Sequence, residues 1–384
     1  MLPLFVAAHF VHHLLPALLV PLLPFIRNDF SLDYTRSAIA LSAFTFSYGI
    51  SQIPAGRLGD RIDRRIPMVI AICGVGVAGV LVGLSQTYIM LIVFLALLGV
   101  LGGGYHPSAT ATVSVLAESK RRGRTLGIHE IGGGASFFVV PLVAGAIAAA
   151  WGWRSSFVGL AIPAVIFGII FYRVLGRRAA TSRAQPEIAE HHEEAAPQPG
   201  YLRRLVALMI FSVGTGGVAY SVVAFLPLYM VDHFATSEQT AASLMAIYGS
   251  AGLWASPLGG YISDRLGRVP VLVVNSLVAA AAIYLLNMAS YGMAIFALLL
   301  TIGITTFVRL PVSESYIASH TTERNRSTVY GIYYFSMQES GAVFAPVTGL
   351  IMDHFGFHNG FTIATVAIVV VALACSPFLR GSRD

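Results

Sequence analysis

Long apolar runs separated by short polar breaks recur along the whole chain. They predict helices near residues 3–26, 35–57, 67–85, 88–118, 125–150 and 155–174, then near 203–231, 240–262, 270–289, 291–320, 327–352 and 360–379. Roughly 20 helical residues cross a hydrocarbon core of about 30 Å, and most of these runs reach that length. A spanning segment must satisfy its own backbone polar groups, which leaves helices or closed barrels. The runs lack the two-residue alternation of a barrel strand. The expected fold is an all-α membrane protein with twelve transmembrane helices. The first run has no basic leader and no clear cleavage site, so it is read as a retained span rather than a signal peptide.

Between the second and third runs lies Gly56-Arg57-Leu58-Gly59-Asp60-Arg61-Ile62-Asp63-Arg64-Arg65. A second copy, Gly260-Tyr261-Ile262-Ser263-Asp264-Arg265-Leu266-Gly267-Arg268, repeats Gly56, Asp60, Arg61 and Arg64 at an offset of 204 residues. The same offset pairs Pro107 with Pro311, Gly127 with Gly331, Gly145 with Gly349, and Trp151-Gly152-Trp153 with Phe355-Gly356-Phe357. A constant offset across helices 2 to 12 marks an internal duplication. The chain divides into a six-helix half at 1–176, a linker at 177–202 and a second six-helix half at 203–384. The linker holds three prolines, an acidic run from Glu187 to Glu194 and the pair His191-His192, a composition that favours a solvated tract.

Composition agrees with the pattern: 56% of residues are hydrophobic, 11% are charged and the mean hydropathy is +0.75. The two cysteines, Cys73 and Cys375, lie inside apolar runs and imply no disulfide framework. With the N-terminus inside, 20 of the 24 Lys and Arg fall in inner segments. That is the distribution expected of cytoplasmic loops and predicts both termini on the cytoplasmic side. The net charge of +6 then reflects topology and contact with anionic lipid, and no nucleic-acid partner is needed to explain it.

Twelve helices in two halves, with G-x-L-x-D-R-x-x-R-R after helix 2 and a fainter copy after helix 8, resemble the major facilitator superfamily over the whole chain. The resemblance implies a pseudo-symmetric bundle in which helices 1, 4, 7 and 10 line a central cavity, 2, 5, 8 and 11 frame it, and 3, 6, 9 and 12 face lipid. It also implies that the motif is a conformational latch made by Gly56, Asp60, Arg61 and Arg64, with Asp264, Arg265 and Arg268 in the second copy. Asp60 would pair with the cytoplasmic end of helix 11 and Asp264 with that of helix 5, where a carboxylate is favoured by the helix dipole.

Ionisable side chains at membrane depth are costly and default to a functional reading. Here they are His9, His12 and His13 in helix 1, His106 in helix 4, His129 and Glu130 in helix 5, Arg309 and Glu314 in helix 10, and Glu339 in helix 11; the interiors of helices 3, 6, 9 and 12 carry none. Arg309 lies near the middle of helix 10 and its counterpart in helix 4 is Tyr105, beside His106 and Pro107. Pro107 and Pro311 are candidate kinks. A midplane arginine needs a carboxylate or an anionic ligand, so Glu314 and Glu339 are its candidate partners. His9, His12 and His13 share one helix face. The H-x-x-H-H pattern also resembles one histidine box of the membrane di-iron desaturases, which need several such boxes. No resident metal and no cofactor is expected.

Gly102-Gly103-Gly104-Tyr105-His106-Pro107 and Gly127-Ile128-His129-Glu130-Ile131-Gly132-Gly133-Gly134, with the histidines of helix 1, resemble the fosmidomycin-resistance type of exporter within the superfamily. That likeness implies a proton-coupled secondary transporter, monomeric, in a bacterial or archaeal cell membrane, exporting a small anionic, zwitterionic or amphiphilic compound. The alternatives are uptake of an organic anion, a metal-ion transporter and a non-transporting receptor. Substrate binding is assigned to His9, His12, His13, Tyr105, His106, Arg309 and Glu314. Proton coupling is assigned, by depth, to Glu339, then Glu130, then Glu314, with His129 as a relay.

The latch reading makes a direct prediction. Asp60→Asn should leave expression and substrate binding intact but slow transport by about two- to fivefold, the equivalent of about 0.3–1 kcal/mol. Asp264→Asn should do less, because its motif is more degraded. Transport at the parent rate in Asp60→Asn would contradict the reading.

Overall fold

The computed structural model describes residues 1–116, 122–182, 200–321 and 323–379. Among them the chain forms twelve helical stretches joined by short turns. α1 is broken into Leu2–His13, Pro16–Leu18 and Leu23–Phe30. α2 is Tyr34–Arg61, α3 Arg65–Gly83, α4 the pieces Tyr88–Gly102 and Tyr105–Leu116, α5 Arg122–Trp151 and α6 Trp153–Ser182. α7 joins Tyr201–Ser212, a π-turn at Val213–Gly217 and Val218–Phe234. α8 is Glu238–Ser250, Ala251–Leu253 and Ala255–Leu266; α9 is Arg268–Leu285 with Leu286–Met288; α10 is Met293–His320. The final run, Glu323–Leu379, is divided at Gly356 into α11 (323–355) and α12 (357–379).

Local chemistry sets these boundaries. Asp33, Thr87 and Ser237 each cap a helix by accepting a backbone N–H from Arg36, Met90 and Thr240. The duplicated aromatic-Gly-aromatic segments are the α5–α6 and α11–α12 turns. Gly152 and Gly356 both take positive φ there, 82° and 74°, which a residue with a Cβ adopts only under strain. The break in α4 falls at 103–104, four residues before Pro107, whose ring nitrogen cannot donate to the Gly103 carbonyl. Pro311, by contrast, lies inside an unbroken α10.

Lipid-facing surface is visible as exposed apolar side chains on α3, α6, α9 and α12, such as Ile70, Ile166, Val274 and Val366. The two halves meet through α2 against α11 and α5 against α8. At the end away from the Gly-Asp-Arg motifs they are fastened by polar groups. Arg27 of α1 forms an ion pair with Asp232 of α7, with one contact at 2.8 Å, and Tyr34 donates to the same carboxylate at 2.6 Å. Asp353 of α11 accepts the backbone N–H groups of Tyr34 and Thr35, each at 3.0 Å, and so caps α2 from the opposite half. Deeper in, Ser42 of α2 donates to the Ala342 carbonyl of α11 at 2.7 Å.

The buried apolar core has the same polarity. At the far end one cluster runs through both halves, from Leu18, Phe44 and Phe157 to Phe225, Tyr248 and Phe361. At the motif end the core is split. One cluster around Phe5, Tyr105 and Phe171 belongs to the N-terminal half, and another around Phe211, Tyr316 and Tyr333 belongs to the C-terminal half.

The motif itself departs from the expectation of a loop. α2 stays helical through Arg61 and α8 through Leu266, so both copies form helix ends. Gly59 lets α2 approach α4, since a Cβ there would lie 3.0 Å from Ser108, while one on Gly56 would make ordinary contact with Pro107 at 3.5 Å. Asp63 caps α3 by accepting Arg65 N–H at 3.0 Å, Arg265 lies 4.5 Å above the Tyr261 ring, and Arg268 donates to Ser315 of α10 at 2.9 Å. The Asp60 side chain and those at 322–328 lie outside the described residues, as do His191 and His192.

Asp353→Ala removes a cap that spans the halves. Losing such a cap costs about 0.5–2 kcal/mol, so exchange of the Tyr34 and Thr35 amides should quicken by about two- to thirtyfold. Unchanged hydrogen–deuterium exchange across residues 34–37 would show that the cap does not hold the far end.

Candidate functional site

One turn of α1 carries His9, His12 and His13, and the structure brings the remaining histidines of the N-terminal helices to it. The approach depends on the glycines of α5. A Cβ on Gly132 would overlap the Val6 carbonyl of α1, and one on Gly133 would sit 2.9 Å from His9 Nε2. With both side chains absent, His9 stacks on His129 at 4.4 Å between ring centroids, and its Nδ1–H donates to the His129 carbonyl at 3.0 Å. His12 stacks on Tyr105 at 4.5 Å and meets the Tyr48 hydroxyl through Nε2 at 3.1 Å. His13 Nε2 lies 3.2 Å from His106 Nε2. Glu130 completes the group, its Oε1 at 4.0 Å from His9 Nδ1. His9, His12 and His129 are buried, while His13, His106 and Glu130 are partly exposed. On the far side His13 packs against Phe137, which packs against Phe307 of α10 and so closes the space between the halves.

The C-terminal half answers this cluster with different chemistry at matched positions. At the 204-residue offset His9–His13 corresponds to Val213–Gly217, the π-turn of α7, and Tyr105 corresponds to Arg309. Where α1 projects imidazoles, α7 withdraws to glycine and admits the arginine. The guanidinium of Arg309 rests where a Gly216 side chain would be, and it donates to the Ser212 carbonyl at 3.2 Å. The expected carboxylate partnership is absent among the described residues. Glu314 instead accepts a hydrogen bond from Tyr334 of α11, and one carboxylate oxygen of Glu339 is buried without a partner. Five residues of regular helix separate Glu314 from Arg309, which points them to different sides of α10. Arg309 lines a cavity of about 50 Å³ with Thr215, Tyr220, Tyr248, Asn275 and Thr306, space for water rather than an organic solute. Glu130 in the N-terminal half and Glu314 in the C-terminal half are both partly exposed.

The profile of the Major Facilitator Superfamily matches residues 5–235 and 208–383. The chain belongs to that superfamily. This transporter is 25% identical over 376 residues to the uncharacterized MFS-type transporter YceJ of Bacillus subtilis, covering 96% of this chain and 93% of that protein. It is 25% identical to the multidrug resistance protein MdtG of Yersinia enterocolitica over 93% of its own length and 87% of that protein's. It is 24% identical to the hexuronate transporter of Bacillus subtilis, over 93% and 89%. Among solved structures, a POT family transporter in complex with 5-aminolevulinic acid superposes with a TM-score of 0.79 at 13% identity, over 99% of this chain and 96% of that one. A bacterial homolog of the human lysosomal transporter Spinster, inward-facing and occupied, gives 0.74 at 16% identity, over 98% and 95%.

For this transporter the sequence named these residues one by one and left their grouping open. Nothing in the spacing says that His106 and His129 reach the box on α1. The glycine run at 132–134 was the available signal, since three small residues mark a close helix approach. The far-end residues Arg27, Tyr34, Asp232 and Asp353 were missed, because single charges at helix ends look like ordinary termini.

Gly216→Ala should be destabilising despite alanine's better helix propensity, because its methyl meets the Arg309 guanidinium. Overpacking of this kind costs about 1–3 kcal/mol. Adding Arg309→Ala should recover most of the loss in thermal unfolding in detergent. Should Gly216→Ala melt no lower than the parent, the guanidinium does not occupy the π-turn.

Proposed function

We propose that this superfamily member is a proton-coupled secondary transporter that exports a small anionic, zwitterionic or amphiphilic organic compound by alternating access. The observation that carries the reading is the uneven core, continuous between the halves at the far end and split at the motif end. Two halves joined that way can rock about a midplane site, as paired-half transporters do. The lysine and arginine distribution supports a cytoplasmic motif end, and the split core there supports an arrangement that opens inward. Export is supported by the multidrug relatives and by the likeness to fosmidomycin-resistance exporters. An anionic solute is supported by the hexuronate relative and by Arg309, whose guanidinium has no carboxylate within ion-pair distance among the described residues.

Glu130 and Glu314 supply the coupling. Rocking changes their separation and their access to water, and two carboxylates brought together in a dry interface repel unless one takes a proton. The sequence ranked Glu339 first by depth. The place of Glu130 in the histidine cluster and of Glu314 against Tyr334, one in each half, supports that pair ahead of it, with Glu339 as a further site and His129 beside Glu130 as a relay. Arg309 would reach solute only when the small cavity around it opens.

The test replaces Glu130, Glu314 and Glu339 singly by Gln in proteoliposomes and screens labelled organic anions, including a hexuronate. A coupling residue loses accumulation driven by a pH gradient and keeps exchange without one. If all three variants still concentrate solute, carboxylate coupling is wrong.

A further inference from the structure

The histidine cluster is richer than a proton relay requires. We propose that His9, His13 and His106 bind one divalent transition-metal ion of the zinc, cobalt and nickel class, within the N-terminal half. One nitrogen from each residue lies within 4.8 Å of the others. His13 Nε2 and His106 Nε2 are 3.2 Å apart. Two imidazole nitrogens on a tetrahedral ion, each at about 2.0–2.1 Å, stand about 3.3 Å from one another. The pair therefore already has the separation of two ligands sharing a metal.

The third ligand is fixed from behind. His9 gives its Nδ1–H to the His129 carbonyl, which leaves Nε2 as a lone pair. That is how metal-binding imidazoles are commonly held, with the second ring nitrogen committed to a carbonyl or carboxylate. The lone pair faces the correct side. The point where a Gly133 Cβ would stand is 2.9 Å from His9 Nε2 and 3.5 Å from His13 Cδ2, so the two rings converge beside the same glycine. His13 Nδ1 is buried without a hydrogen-bond partner, so no neighbour draws this ring toward another role. A second grouping, His9 with His129 and Glu130, also falls within ligand distance. There His9 Nδ1 stands 4.0 Å from Glu130 Oε1 but is already committed to the His129 carbonyl, so the site is assigned to the first set.

Three neutral imidazoles suit zinc, cobalt and nickel better than magnesium or calcium. They leave a fourth position, on the side of the partly exposed His13 and His106, for water or for the oxygen of an anionic solute. The sequence reading expected no metal because it found one isolated histidine box; the fold adds His106 from α4.

The test uses the full chain, purified in detergent, freed of any affinity tag and stripped of metal. Titration with Co²⁺ should give one equivalent bound, with visible absorption of tetrahedral intensity that Zn²⁺ displaces. His13→Ala and His106→Ala should each weaken Co²⁺ binding by more than about 100-fold, beyond the loss typical of an outer partner. Gly133→Ala should also weaken it. His191→Ala with His192→Ala, in the linker, should change nothing. X-ray absorption of the zinc-loaded parent needs no variant to fold and should show three imidazole nitrogens at about 2.0 Å. Absence of Co²⁺ binding, parental affinity in His13→Ala or His106→Ala, or a zinc shell without three imidazoles would overturn the site. Because these measurements need no flux, they stand whether or not the transport reading holds.

Discussion

A bilayer offers no water to a polar group, so every charged or imidazole side chain in this bundle must find its partners in protein. That requirement shapes both halves. In the N-terminal half the histidines meet one another, the Tyr48 hydroxyl and a backbone carbonyl of α5, while His12 Nδ1 and His13 Nδ1 stay buried without a hydrogen-bond partner. In the C-terminal half Arg309 is satisfied by the Ser212 carbonyl, the Met337 sulfur and a polar cavity. Unsatisfied groups at such depth would cost several kcal/mol each. Glycine makes these arrangements possible, because side chains can meet only where the helices behind them come close. Gly132 and Gly133 do this for α1 and α5, and Gly216 does it for Arg309.

The duplication supplies a common frame, and the two copies have used it for opposite purposes. The turn that bears three imidazoles in α1 is a glycine-containing π-turn in α7. Tyr105 in α4 becomes Arg309 in α10, and Glu130 in α5 becomes Tyr334 in α11. One half thus gathers nitrogen donors with a lone pair to offer, and the other gathers a fixed cation with hydroxyls. Each half also carries one partly exposed carboxylate beside these groups, Glu130 near His9 and Glu314 against Tyr334. A pseudo-symmetric scaffold thus carries different polar groups in its two halves.

Much of the fold was legible in the residues. The apolar runs and the aromatic-Gly-aromatic segments marked the helices and the connections between α5 and α6 and between α11 and α12. The motif was found but its conformation was misjudged, since glycine, aspartate and arginine read as a loop while packing against Pro107 and Ser108 keeps α2 helical to Arg61. The residues of the histidine cluster could each be named from the sequence. Their grouping could not, because helical periodicity reports which face a side chain takes and not which helix lies opposite. Arg309 was given carboxylate partners on charge alone, whereas the π-turn of α7, which has no sequence signature beyond its glycines, draws it away.

The claim on which the rest turns is that the halves rock about the midplane, closing at one end as they open at the other. Paired spin labels at exposed positions measure this directly: Gln86 with His233 at the far end, and Ile62 with Leu266 at the motif end. When the buffer is moved from about pH 8 to about pH 5, a span that contains the ordinary imidazole pKa, the two distances should shift in opposite directions. If neither distance moves, or both change in the same sense, the halves do not exchange openings and the rocking mechanism fails.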